Sequence, residues 1–318
     1  MTTCDPLRRL PKLFPVVIRL GGIVTLLLVS SGALANSDTP SQSSTRLQRL
    51  ATGGRSRTFL LHTPAQRSDP HPLVIALHGH SGTATRMMDL TEFDRVTQEA
   101  GAVVAYPNGT GWLGLKRSWN AGACCGYAMS REVDDVDFLR TLIDHLTTHA
   151  QVDPQRVYVT GVSNGGMMAH RVGCELSDRI TAIAVVAGAL SITSCHPSAP
   201  VSVLMIHGTA DQFVPYAGGW GARVHDDRID PPVSHAVSTW KQANGCRGAP
   251  ERESQGRILR ETWSPCRSNT TVTLYTLRGE GHSWPGRRQR GARQGGHAGE
   301  FSATKVIWEF FQQHPKAQ

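Results

Sequence analysis

The chain has 318 residues, with 33 Lys and Arg against 25 Asp and Glu, a formal charge of +8 and 39% hydrophobic residues. The positive excess is mild. No basic helix and no interleaving of basic with aromatic residues accompanies it, which argues against nucleic acid as a partner.

Taken from the start, Arg8, Arg9, Lys12 and Arg19 precede an apolar run from Ile23 to Val29, followed by Ser30-Ser-Gly-Ala33-Leu-Ala35. A basic leader, a short apolar stretch and an Ala-x-Ala site read as a signal peptide over 1–35, with the mature chain beginning at Asn36. The run is short for a span of about 20 residues, and no cysteine follows it for a lipid anchor. An uncleaved anchor is the alternative. The expected product is a secreted protein, extracellular or periplasmic, without a stable membrane anchor. Residues 36–318 are long enough for one large domain with a substantial core.

Leu47 to Thr63 reads as two strands around Thr52-Gly-Gly54. Leu73 to Leu77 is wholly apolar, as in a strand covered on both faces. A helix over 85–99, a strand over 102–105 and a helix over 133–149 follow, the last with Val136, Leu139, Leu142, Ile143 and Leu146 at helical spacing. Strands at 157–162, 183–186, 201–206 and 272–277 and an amphipathic helix at 303–313 complete the series. Strands alternating with helices predict an α/β fold: a mostly parallel central sheet with helices on both faces. The polar stretch 212–270 reads as an insertion over the active-site face of this single domain. Seven cysteines become six beyond the signal. An even number in an exported chain predicts disulfides, with 15 possible pairings. Cys246 and Cys266 flank a polar segment as a local staple, and Cys124, Cys125, Cys174 and Cys195 supply two more bonds. The spacings lack paired Cys-x-x-Cys zinc ligands, so no metal is expected.

The chemistry centres on Val157-Tyr-Val-Thr-Gly161-Val-Ser163-Asn-Gly165. A β-branched strand runs into a helix through Gly-x-Ser-x-Gly, the pattern of a nucleophile elbow. A serine hydroxyl needs a base to take its proton and a carboxylate to orient that base. In α/β hydrolases these follow the serine as acid, then histidine, from loops beyond the carboxyl ends of strands. Asp211, in His207-Gly-Thr-Ala-Asp211, leaves the strand 201–206; Asp226, Asp227 and Asp230 are rivals deep in the insertion. His282 leaves the strand 272–277. His297 and His314 also lie downstream, and neither follows a strand. Two backbone N–H groups must meet the developing oxyanion. One is assigned to Asn164, and the other to His80 in Leu77-His-Gly-His80-Ser-Gly82. Asp134 and Asp135 open a helix and are read as capping residues.

With these residues assembled, the chain resembles the secreted esterases that include polyhydroxybutyrate depolymerases, the mycobacterial LpqC-like proteins and feruloyl esterases. The resemblance is carried by Leu77-His-Gly, Tyr106-Pro-Asn-Gly109, Trp119-Asn-Ala-Gly122, Cys124-Cys-Gly126, Val133-Asp-Asp-Val136, Gly161-Val-Ser-Asn-Gly-Gly-Met-Met168, His207-Gly-Thr-Ala-Asp211, Gly281-His-Ser-Trp-Pro-Gly286 and Ile307-Trp-Glu-Phe-Phe311. It implies an α/β-hydrolase fold, a Ser163, Asp211 and His282 triad, an ester substrate and no cofactor. Trp119 and Trp284 are candidate aromatic walls of the substrate cleft, with core packing the equal alternative for Trp119, and the basic loop Arg287–Arg293 is a candidate rim. The alternatives are an acyltransferase that moves the acyl group to a sugar hydroxyl, and a non-catalytic binding protein.

Overall fold

The computed structural model describes residues 42–65, 70–224, 227–286 and 301–316. The expected signal segment and the Arg287–Arg293 loop lie outside the described residues.

The expected hairpin forms between β1 (Ser44–Thr52) and β2 (Arg55–Thr63). Gly53 and Gly54 turn it with φ of 53° and 68°, positive angles at both turn positions that match the twist of the strands. β3 (His71–Leu77) is buried along its whole length. The single helix expected over 85–99 is two, α1 (Ala84–Thr91) and α2 (Phe93–Val96). Glu92 breaks it with φ 50°, its N–H closing on the Met88 carbonyl, a left-handed stop that helical periodicity does not reveal. Then come β4 (Val103–Pro107), α3 (Gly126–Ser130), α4 (Asp135–His149), β5 (Val152–Val162), α5 (Asn164–Glu175), β6 (Ala182–Val186) and β7 (Ser202–Gly208).

The stretch 212–270 departs from a simple insertion. Among its described residues, the first part carries only the two-residue strands β8 (Gly219–Trp220) and β9 (Ile229–Asp230). The rest forms α6 (Val233–Asn244), β10 (Glu251–Gln255) and β11 (Ile258–Trp263). α6 buries Trp240 in the core, and β11 pairs antiparallel with β12 (Val272–Leu277). Among the described residues, the part of this stretch that precedes α6 and lies outside the main sheet, an excursion, is thus confined to about 212–232. The polar composition that suggested otherwise belongs to β10, an edge strand whose five residues are all exposed. α7 (Ala303–Gln313) lies where expected.

The sheet runs β1-β2-β4-β3-β5-β6-β7-β12-β11-β10. Its middle six strands are parallel, and an antiparallel hairpin borders them on each side. Side chains alternate between faces. Leu73, Ile75 and Leu77 pack with Leu139, Met167 and Trp240 on one face. Val74 and Ala76 pack with Phe93, Ile307 and Phe311 on the other. Both faces are covered by helices, which is why the strands read as unbroken apolar runs. The disulfides pair Cys174 with Cys195, Cys246 with Cys266, and Cys124 with its neighbour Cys125. No helix among the described residues is long and apolar enough to cross a membrane.

Candidate active site

Ser163 stands between β5 and α5 with φ 57° and ψ −125°, a conformation costly for any residue with a side chain. The chain is forced into it by close packing. A Cβ on Gly161 would lie 2.3 Å from the Gly165 carbonyl oxygen, and one on Gly165 would lie 2.3 Å from that of Leu77. Only glycine fits at either place. The turn is closed by the Ser163 N–H on Val186 and by the Met167 N–H on the Ser163 carbonyl, each at 2.9 Å.

Asp211 and His282 leave the carboxyl ends of the adjacent parallel strands β7 and β12, and their loops are laced together. Thr209 N–H donates to Leu277, and Ala210 N–H to Glu280, at 3.0 and 2.9 Å. His282 Nδ1 lies 2.7 Å from Asp211 Oδ2. The other carboxylate oxygen accepts the Phe213 and Val214 amides at 2.8 and 2.9 Å. The Asp211 side chain is 0% exposed, and that of His282 is 17%. Burial alone would raise the Asp211 pKa. Hydrogen bonds from His207, His282 and the Val214 amide overcome this and hold the carboxyl well below the usual carboxylate range. The Phe213 ring lies 5.0 Å from the His282 ring.

The loop after β3 approaches the serine from the other side. A Cβ on Gly79 would be 3.3 Å from Ser163 Cβ, so this backbone lies directly against Ser163. His80 sits inside the turn that Gly82 N–H closes on Gly79 at 3.0 Å. Its imidazole packs on Gly126. Asn164 opens α5, where the first N–H groups have no acceptor within the helix. The Asn164 side chain is committed elsewhere: Oδ1 accepts the Trp119 N–H at 2.7 Å, and Nδ2 donates to the Trp119 carbonyl at 3.0 Å.

Two expectations are corrected. Trp119 is 0% exposed and Trp284 3%, so neither is an aromatic wall of an open cleft, and for Trp119 the core-packing alternative holds. Trp119 stacks on Phe138 and donates its indole N–H to the His78 carbonyl at 2.9 Å. Trp284 donates to Thr304 Oγ1 at 3.0 Å and lies edge-on to Phe93. Large rings close to the candidate motifs are here part of the core that supports them. The capping reading holds for Asp134, which accepts the Asp137 N–H at 2.8 Å. It fails for Asp135, which is buried against Arg57 at 2.7 Å and also accepts the Asn120 N–H at 2.8 Å.

Sequence reasoning missed three supporting residues. His78 Nε2 accepts the Gly109 N–H at 2.9 Å, so the ring proton sits on Nδ1 and is donated to Gly79 at 2.7 Å. Burial pushes its pKa down to about 4, which keeps the ring neutral. His207 Nε2 bonds the Val214 carbonyl at 2.8 Å and lies 3.4 Å from Asp211 Oδ2. Arg228 bridges the excursion to the cysteine pair. His78 and His207 were signalled by their place at the ends of strands, each just before a glycine. Arg228 carried no such mark. Among the described residues, no group of three His, Cys, Asp or Glu is placed to hold a metal ion.

Residues 93–199 match the model of the prolyl oligopeptidase family, a stretch that includes the elbow and stops short of Asp211. Feruloyl esterase B of Piromyces equi is 33% identical over 219 residues, covering 67% of this chain and 39% of that protein. The putative esterase NocK of Nocardia uniformis subsp. tsuyamanensis is 33% identical over 261 residues, covering 76% of this chain and 74% of that one. Acetyl xylan esterase from Aspergillus awamori shares the fold, with a TM-score of 0.56 at 13% identity over 75% of this chain and 94% of that one. The chain therefore belongs to the α/β-hydrolase esterase family that holds NocK, the feruloyl esterases and the polyhydroxybutyrate depolymerases.

Proposed function

We propose that this protein is an exported serine hydrolase that cleaves carboxylic esters through an acyl-enzyme. One observation carries the reading: a strained Ser163 at the carboxyl edge of β5, on the same sheet edge as the 2.7 Å pair of Asp211 and His282. Asp211 orients His282 with its proton on Nδ1, which leaves Nε2 to accept the Ser163 proton. The hydroxyl attacks the ester carbonyl, and the Asn164 and His80 amides receive the oxyanion. His282 returns the proton to the leaving alcohol, and water repeats the cycle to release the acid. No step calls for a metal or organic cofactor. Feruloyl esters and short hydroxyalkanoate oligomers are the substrate classes to try first, given the relatives.

Export rests on the leader over 1–35 and is supported by three disulfides, a feature of oxidising compartments. The purified exported protein should begin at Asn36; an N-terminus at Met1 would exclude cleavage. For the chemistry, a fluorophosphonate probe should label Ser163, and Ser163→Ala should lower kcat by more than about 100-fold. Intact mass of the probe adduct and hydrolysis of methyl ferulate and p-nitrophenyl acetate are the readouts. No labelling would favour a binding protein on this fold, and acyl transfer to an added sugar outrunning hydrolysis would favour a transferase.

A further inference from the structure

One guanidinium reaches both halves of the candidate site. Arg228 lies just before β9 with its side chain 13% exposed, facing an Asp230 side chain that is 1% exposed. Nε and Nη2 donate to the two oxygens of Asp230 at 2.9 and 3.0 Å, a two-pronged contact that fixes the plane of the guanidinium. Nη2 also donates to the Phe213 carbonyl at 3.2 Å. Nη1 points at the sulfurs of Cys124 and Cys125, at 3.3 and 3.4 Å.

These contacts lead to different working parts. Phe213 gives its amide to Asp211 and lays its ring against His282. Cys124 Sγ lies 3.7 Å from Asn164 Nδ2, and the Cys125 N–H donates to the Trp119 carbonyl at 3.2 Å. That carbonyl is the one Asn164 holds. A guanidinium serving only to neutralise Asp230 would need neither the Phe213 carbonyl nor the cysteine pair.

We propose that Arg228 is a positioning residue for the ester-cleaving site. It clamps the 212–232 excursion onto the Cys124–Cys125 turn, and so fixes Phe213 against His282 on one side and the Trp119–Asn164 pairing on the other. The inference rests on Ser163 being the nucleophile. Lysine cannot take the place of arginine, because a single ammonium lacks the planar fork that meets three segments at once.

The test compares wild type, Arg228→Lys and Arg228→Ala by the rate at which a fluorophosphonate labels Ser163. It is paired with kcat/KM for p-nitrophenyl acetate from pH 5 to 9, and with near-ultraviolet circular dichroism as the check on folding. Both variants should label about 10- to 100-fold more slowly, the cost of small misplacements at a reacting centre. The acid limb of their pH profiles should move, and millimolar guanidinium ion should restore part of the Arg228→Ala rate. A folded Arg228→Lys protein with the wild-type labelling rate and pH profile would overturn the proposal, even if its melting temperature fell. If Arg228→Ala does not fold, Arg228→Lys decides on the same readouts. Failure of the wild type itself to label would instead remove the nucleophile assignment, and this inference with it.

Discussion

Asp211→Asn isolates what the carboxylate does, because it keeps shape and removes charge. Three of the four groups around Asp211 are within 2.9 Å: the Phe213 and Val214 amides on Oδ1 and His282 Nδ1 on Oδ2. An asparagine oxygen still accepts the two amides, so its NH2 must take the place of Oδ2 and face His282. Two donors then meet, unless His282 moves its proton from Nδ1 to Nε2. In that tautomer the nitrogen meant to accept the serine proton already carries one. The same error in other serine hydrolases costs about 10⁴ in kcat, which corresponds to about 5.5 kcal/mol of barrier. The assay is kcat with p-nitrophenyl acetate at pH 7, and circular dichroism should be unchanged. More than a tenth of wild-type activity in a folded Asp211→Asn protein would refute this role for the carboxylate.

Two further outcomes concern stability. His78 and His170 are held neutral by burial, with pKa values lowered to about 4 and about 3, against about 6.5 in the unfolded chain. Their contribution is complete above about pH 6.5 and is lost as pH falls, because only the unfolded chain then binds the protons. Each should cost up to about 1.4 kcal/mol per pH unit. Urea midpoints should drop between pH 6.5 and 4, and a flat profile there would contradict the burial argument. Asp211 works lower: its depressed pKa adds stability above about 3.9 that disappears on further acidification. Separately, Asp135→Asn should destabilise by about 3–5 kcal/mol, since it leaves Arg57 buried without its anion. A shift under 1 kcal/mol in chemical denaturation would mean that solvent or another acceptor takes over.

What the sequence displayed and what it hid differ in physical kind. Periodicity and strand composition identified β3, β12 and α7 because these elements bury predictable faces. The candidates Ser163, Asp211 and His282 could be picked out because chain order and strand ends constrain them, and the structure pairs Asp211 with His282. Side chains that act through folded geometry were not. Nothing in the spacing of Asp135 and Arg57 announces a buried pair between residues 78 apart in the chain. Trp119 could equally have faced a cleft or the core, and only the His78 carbonyl and the Phe138 ring decide it. α6 was hidden because its surroundings in sequence are polar, although its Trp240 is fully buried.

The placement of charge follows from where charge must develop. In the proposed mechanism His282 becomes positive and the ester oxygen negative as Ser163 attacks. Asp211, whose hydrogen-bond partners are histidines and backbone amides, sets its negative charge against the first. On the side proposed for the oxyanion the supports are neutral: the Trp119–Asn164 pairing and an uncharged His78 under the Gly79 turn. Asp135 is the exception there, since it holds the Asn120 amide beside Trp119. A bare buried carboxylate at that point would oppose the oxyanion, because charges interact strongly where water is excluded. Arg57, 2.7 Å away and stacked over Phe138 at 3.9 Å, cancels it. The Arg57–Asp135 pair therefore lets a carboxylate position the backbone behind the elbow without placing a net negative charge beside the reacting oxygen.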